Sequence, residues 1–261
     1  MGILNVTPDS FADGGQWIDP ARAVDAALAM EADGADIIDI GGESTRPGAE
    51  PLPLDEELAR VLPVIEGLAG RLRVPISIDT YKAKVAEEAL GAGALIVNDV
   101  SGLQYEPALA DVVAGASAGL VLMHNRGRSK AMYRDARYAD VVAEVGAELD
   151  ARVQAAVDAG VAREQVIVDP GIGFAKQASH SLELLARLPE LATLGLPLLV
   201  GPSRKSFLRV ALGERLPADR EWGTAGAVAA AALGGAHIVR VHNVKAMSDV
   251  VRAIDSIRTL T

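Results

Sequence analysis

The chain contains no cysteine, so neither disulfides nor thiolate zinc sites are open to it, and a reducing cytoplasm suits it. Aromatic residues make up only 3%, so a core has to be built from Ala, Val, Leu and Ile. Abundant Ala and Gly suit helices laid closely on strands better than a β-sandwich. Positive charge is in deficit: 25 Lys and Arg stand against 35 Asp and Glu, a net charge of −10 with a pI near 4.9. That balance argues against nucleic acid as a partner, and an anionic substrate would need a local cluster of basic groups. Long apolar runs are also missing. The longest, Ala225 to Ala236, is too short to span a bilayer and reads as a buried helix, so no membrane partner is expected. The N-terminus has no basic, hydrophobic and cleavage-site pattern of the signal-peptide kind.

What is present is material for a large core: 261 residues, half of them apolar. Short apolar runs alternate with segments of helical period. The predicted strands are Ile3–Val6, Asp36–Ile40, Ile76–Asp79, Leu95–Asn98, Leu120–Met123, Val166–Asp169, Leu198–Gly201 and Ile238–Val241. The predicted helices are Pro20–Ala32, Asp55–Leu72, Ala83–Ala92, Asp140–Ala159, Ser181–Leu191, Glu221–Leu233 and Val244–Leu260. This α/β alternation predicts a single (β/α)8 TIM barrel, with eight parallel strands inside a ring of helices, as one domain over residues 1–261. Near-continuous apolar strands suit burial on both faces.

The strands release polar groups at their C-terminal ends: Asn5, Glu43, Asp79, Thr80, Asn98, Asp99, His124, Asn125, Asp169, Ser203, Arg204, Lys205, Arg240 and His242. In a barrel these ends converge on one rim, where enzymes of this architecture hold their sites. Helix capping accounts for Thr80 and Ser203 equally well. Asp79, Asn98 and Asp169 match a flat heterocycle rich in N–H donors. They would also serve as structural partners of nearby Lys or Arg, or as ligands of a divalent metal. Arg240 and His242, two apart, leave the last strand on one face and suit phosphate oxygens. Ser203 to Ser206 is expected to open a helix that holds anionic or carbonyl oxygen. His180 and His237 are read as structural. Gly171–Ile172–Gly173 has Lys176 where a dinucleotide loop needs its third glycine, so NAD is not expected. The loops Thr7 to Gly15 and Glu43 to Gly48 carry Phe11 and Arg46 and are read as lids.

Taken in order, GILNVTPDSFADGG (2–15), IIDIGGESTRPGA (37–49), SIDT (77–80), NDVSG (98–102), DPGIGFAK (169–176), SRKSF (203–207) and RVHN (240–243) resemble the dihydropteroate synthases over almost the whole chain. The resemblance implies condensation of 6-hydroxymethyl-7,8-dihydropterin diphosphate with para-aminobenzoate, giving 7,8-dihydropteroate and pyrophosphate in folate biosynthesis. It implies that Asp79, Asn98, Asp169 and Lys205 bind the pterin. Asn5, Arg240 and His242 would hold the diphosphate, with Asn5 helping to place Mg²⁺. Phe11, Thr45, Pro47 and Ser203 would shape the aminobenzoate site, which Arg46 and Asp13 help to close. A cytoplasmic homodimer that sulfonamides inhibit is likewise what the resemblance implies. Two departures stand out: only Met1 and Gly2 precede the first strand, where the family often carries a cover for the barrel bottom, and Gln177 follows the lysine where Thr is common. A pterin-binding methyltransferase or a catalytically silent homologue are the competing readings. The former would need neither the Ser44–Gly48 loop nor the Arg240/His242 corner.

Overall fold

The computed structural model describes residues 1–7, 19–44, 50–127 and 136–258. Eight short parallel strands alternate with helices. In chain order they are β1 (Gly2–Asn5), α1 (Pro20–Ala32), β2 (Ile38–Gly41), α2 (Leu54–Leu68), β3 (Ile76–Asp79), α3 (Ala83–Gly91), β4 (Ile96–Asp99) and α4 (Leu109–Ala116). There follow β5 (Gly119–Met123), α5 (Val141–Asp158), β6 (Val166–Asp169), α6 (Ala178–Ala186), β7 (Leu199–Val200), α7 (Glu221–Leu233), β8 (Ile238–Val239) and α8 (Val244–Arg258).

Continuous ladders join β1 to β6 as a six-stranded sheet, and β7 pairs with β8. The two seams are each a single parallel bridge, Val168 to Leu198 and Gly2 to Val241. This differs from the even eight-stranded ladder expected. Prolines 197 and 202 flank β7, and a residue without an N–H cannot extend a ladder; the Pro197 carbonyl instead accepts from the Val168 amide at 3.0 Å.

Alternation along each strand sorts the core. One set, including Ile38, Ile40, Ile78, Val97, Leu120, Leu122 and Val168, packs outward under the helices. The alternate set places Met1, Val121 and Leu199 together inside the ring, with Ile37, Ile96, Ile167 and Ile238 against them. Above this apolar layer the inward positions turn polar.

Local chemistry explains the helix bounds. Asp19 caps α1 by accepting from the Ala21 amide, and Pro20 supplies the pre-set first residue. Asp140 caps α5 through the Val142 and Ala143 amides. Three departures from the predicted bounds have causes. Helix α2 ends at Leu68 rather than Leu72, two residues before Gly70 at φ +73°. The Ser181–Leu191 segment begins at Ala178 and stops at Ala186, because Pro189 turns the chain into a 3-10 stretch, Leu188–Leu194. Helix α4 was not expected: at eight residues it is too short to show a clear period. Among the described residues no helix is long and apolar enough to cross a membrane.

Candidate active site

Register brings the strand ends together before any side chain is considered. Asn5 pairs with Gly41, Gly41 with Asp79, and Asp79 with Asn98, so four neighbouring strands end in one row. Gly41 keeps that row open, since a Cβ there would stand 3.3 Å from the Asp79 Cβ. Asp169 ends β6 beside Met123.

The centre of the arrangement is a guanidinium between two carboxylates. Arg240 donates Nε to Asp39 Oδ2 and Nη2 to Asp79 Oδ2, both at 2.6 Å. Asn98 Nδ2 donates to the same Asp39 oxygen at 3.0 Å. One cation facing two buried carboxylates leaves a surplus of negative charge. Burial pushes the Asp79 carboxyl up to about 7; Arg240 opposes the shift and Asp39 adds to it. The pairing expected of a structural carboxylate is therefore present at Asp79, within a cluster that still has proton-exchange capacity near neutrality.

Asp169 and Lys205 form the second pair. Burial raises the Asp169 carboxyl, while Lys205 and the Gly171 amide, 2.7 Å from Oδ1, lower it. Burial brings the Lys205 ammonium down to about 8 against the pull of Asp169. Lys205 Nζ donates to the Ile172 carbonyl at 2.5 Å and lies 4.4 Å from the centre of the Phe174 ring. A Cβ on Gly201 would meet both Lys205 Nζ at 3.7 Å and Arg240 Cβ at 3.8 Å, so the two cations flank one glycine. Asp79, Asn98, Asp169, Lys205 and Arg240 thus share one end of the ring.

His242 leaves the chain two residues after Arg240 and takes a different partner: Nδ1 lies 2.9 Å from Ser203 Oγ, and its amide donates to that oxygen at 3.3 Å. Ser203 is therefore tied to His242 and does not cap a helix. Thr80 does act locally, accepting from the Lys82 amide at 3.2 Å just before α3. The segment after Ser203 also departs from expectation. It opens a 3-10 turn, Ser206–Leu208, and Arg204, at φ +60°, turns outward to bond Glu221 at 3.1 Å. Arg204 and exposed Ser206 therefore stand outside the cluster.

Several other strand-end groups are structural. Asp99 closes its own turn by accepting from the Ser101 and Leu103 amides at 2.7 and 2.6 Å. Glu43 bonds Tyr81 at 3.0 Å and Lys82 at 2.5 Å. His180 completes a capping box with Gln177, and His237 accepts from the Leu198 amide at 3.1 Å, as read from the sequence. Phe11, Asp13, Thr45, Arg46 and Pro47 lie outside the described residues, as do most of both expected lids.

Asp39 was missed by the sequence reading although it is wholly buried and holds both Arg240 and Asn98. Its signal was an acid among isoleucines, two residues before Gly41 and hence on the same face. Asp39 Oδ1 and Ser77 Oγ, on paired positions of β2 and β3, have no partner among the described residues.

As to a metal, no group of three His, Asp or Glu side chains suited to one occurs among the described residues. Half-buried Asn5 at the rim offers a single oxygen. That fits Mg²⁺, which commonly takes one or two protein ligands and completes its shell with water and substrate phosphate.

A family model described as pterin binding enzyme matches residues 1–242. A dihydropteroate synthase from Synechocystis sp. is 50% identical over 257 residues, covering 98% of this chain and 89% of that protein. The solved dihydropteroate synthase of Xanthomonas albilineans with 4-aminobenzoic acid superimposes with a TM-score of 0.92 at 44% identity, covering 98% of this chain and 92% of the other. That of Yersinia pestis, in complex with a sulfonamide drug, has a TM-score of 0.93 at 42% identity, over 99% and 93%.

Proposed function

The chain belongs to the pterin-binding enzyme family, and from that premise we infer that it acts as a dihydropteroate synthase. It is a transferase that joins the pterin methylene of 6-hydroxymethyl-7,8-dihydropterin diphosphate to the nitrogen of para-aminobenzoate, giving 7,8-dihydropteroate. The observation that carries the site assignment is the buried cluster of Asp79, Asn98, Asp169 and Lys205 around Arg240. Its acceptors and donors complement a ring that presents both N–H groups and a carbonyl.

In this reading Asp169, Asp79 and Asn98 take the ring's N–H donors and Lys205 donates to a ring acceptor. Arg240 and His242 meet the diphosphate, Ser203 meets the aminobenzoate, and Phe11, Thr45, Pro47, Arg46 and Asp13 complete that second site. Asn5 would hold Mg²⁺, which when bound neutralises the leaving diphosphate. The C–O bond to the diphosphate breaks and positive charge spreads from the methylene into the electron-rich ring. The Asp79 and Asp169 carboxylates stabilise that charge. The amine nitrogen then attacks the methylene and gives up one proton, and no protein nucleophile takes part. Positioning and electrostatics supply the rate. The pair of lids would keep water from the cation.

We place the reaction in the cytoplasm, in keeping with a cysteine-free chain. We also propose a homodimer. Val210, Leu216 and Trp222, before and at the start of α7, are large apolar side chains left exposed, which suits such an interface; light scattering at twice the chain mass would support it.

The decisive experiment incubates the pure protein with the pterin diphosphate, para-aminobenzoate and Mg²⁺ and follows pyrophosphate. Release that depends on the amine is expected. Pterin binding without release would favour the silent homologue.

A further inference from the structure

Lys176 has no role in the reaction as described, yet it is among the largest fully buried side chains, with 2% of its surface exposed. A position that needed only volume would be served by Leu or Met. A polar nitrogen buried there must have its hydrogen bonds met. They are: Nζ lies 2.8 Å from His124 Nδ1, 3.0 Å from the Phe174 carbonyl and 3.4 Å from the His124 carbonyl.

The acceptor role of Nδ1 leaves the His124 proton on Nε2, which lies 3.0 Å from Glu148 Oε2. Burial and the Lys176 charge press His124 down to about 3, so its ring is neutral. The hydrogen bond from His124, with Arg126 in support, takes Glu148 down to about 2. A relay of three hydrogen-bonded side chains thus runs from the interior to a partly exposed carboxylate.

Both turns that Lys176 joins belong to the site's frame. The His124 amide donates to the Asp169 carbonyl at 2.8 Å, tying the end of β5 to the pterin carboxylate's own backbone. The turn from Gly171 to Phe174 carries the Ile172 carbonyl and the Phe174 ring that hold Lys205. Gly171 and Gly173 stand at φ +68° and +79°. A Cβ on Gly171 would overlap the His124 carbonyl oxygen, and one on Gly173 would come within 3.0 Å of Lys205 Cδ. The two glycines thus let this turn press against both neighbours. Burial pushes the Lys176 amine well below its ordinary value, with Lys205 adding to the shift and Asp169 opposing it.

We propose that Lys176 is a positioning residue for the pterin: the hydrogen bonds of its side-chain nitrogen clamp the turn after β5 to the turn after β6, and so set Asp169 and Lys205 at their working separation. This rests on the pterin reading given above. Among the described residues the hydrogen bonds of Lys176 go to His124 and Phe174 and not to Ser203, so the effect of removing it is expected on the pterin side.

The test compares wild type and Lys176→Met by calorimetric titration with the pterin diphosphate, and by pyrophosphate release with each substrate varied. The expected result is a rise of about tenfold or more in the pterin Kd and KM, the scale of a lost buried hydrogen bond. The aminobenzoate KM should stay within about twofold. Glu148→Gln, changed at the exposed end of the relay, is the second variant and covers the case in which Lys176→Met does not fold. It should raise the pterin Kd by about threefold while leaving the aminobenzoate KM alone. An unchanged pterin Kd in the folded variants, or equal rises in both KM values, overturns the proposal. Failure of the wild type to release pyrophosphate would overturn the activity instead, and the calorimetric titration would still report on Lys176.

Discussion

Asp39 and Asp79, on neighbouring strands, share the guanidinium of Arg240, each accepting one of its N–H groups at 2.6 Å. One carboxylate would be enough to neutralise the arginine. The second makes the cluster responsive to protons and to cationic charge, which is what a reaction passing through a pterin-stabilised cation needs.

Removing Asp39 should therefore damage more than binding. Asp39→Ala leaves Arg240 buried with half its partners and Asn98 without its acceptor. A loss of about 3–5 kcal/mol in unfolding free energy is expected, the usual scale for breaking a buried pair from one side. Urea unfolding measures it; a loss below about 1 kcal/mol would show that water replaces the carboxylate freely.

The pH dependence follows from two shifted groups. With Asp79 near 7 and Lys205 near 8, pterin affinity should rise as Asp79 loses its proton and fall once Lys205 loses its own. For stability the sign of the Asp79 contribution is the reverse. The folded chain holds the Asp79 proton more tightly than the unfolded chain. The contribution is complete below the ordinary carboxyl value of 3.8 and is lost as pH rises through about 7. Asp79→Asn should flatten both slopes, which binding and thermal melts across pH would reveal.

Gly171→Ala should be worse tolerated than Gly173→Ala. Both positions carry positive φ, which costs roughly 1–2 kcal/mol for an alanine. At Gly171 the new Cβ meets rigid backbone of His124, whereas at Gly173 it meets the flexible chain of Lys205. Equal melting temperatures for the two variants would count against that distinction.

Asp169→Ala should weaken pterin binding by about 1–3 kcal/mol by leaving ring donors unpaired. Calorimetry with the pterin diphosphate gives the value directly, and unchanged affinity would remove Asp169 from the site.

Sulfonamide analogues of the amine should inhibit pyrophosphate release competitively with para-aminobenzoate. Inhibition that excess para-aminobenzoate fails to relieve would place the drug elsewhere.

Much of this was legible beforehand. The β/α alternation, the polar strand ends and the ordered motifs all lie along the chain, and periodicity together with local residue chemistry is what a linear sequence records well. Asp79, Asn98, Asp169 and Arg240 could be named because each ends an apolar run, and Lys205 because it lies in the SRKSF motif just after one. Asp39 left only the weaker mark of an acid inside an apolar strand, and its partners, Arg240 and Asn98, come from other strands. Helix α4 escaped because two turns hold too few repeats to define a period.

The sequence by itself determined the barrel class and the set of polar groups available at its rim, because strand and helix periods are local properties. Only the tertiary structure decided which groups face inward and which merely close turns. Arg204 turns away to Glu221, Asp99 satisfies its own loop, and Lys176 joins two turns that lie 52 residues apart at His124. Those choices depend on register and on which buried donor finds which acceptor, and both are settled between strands.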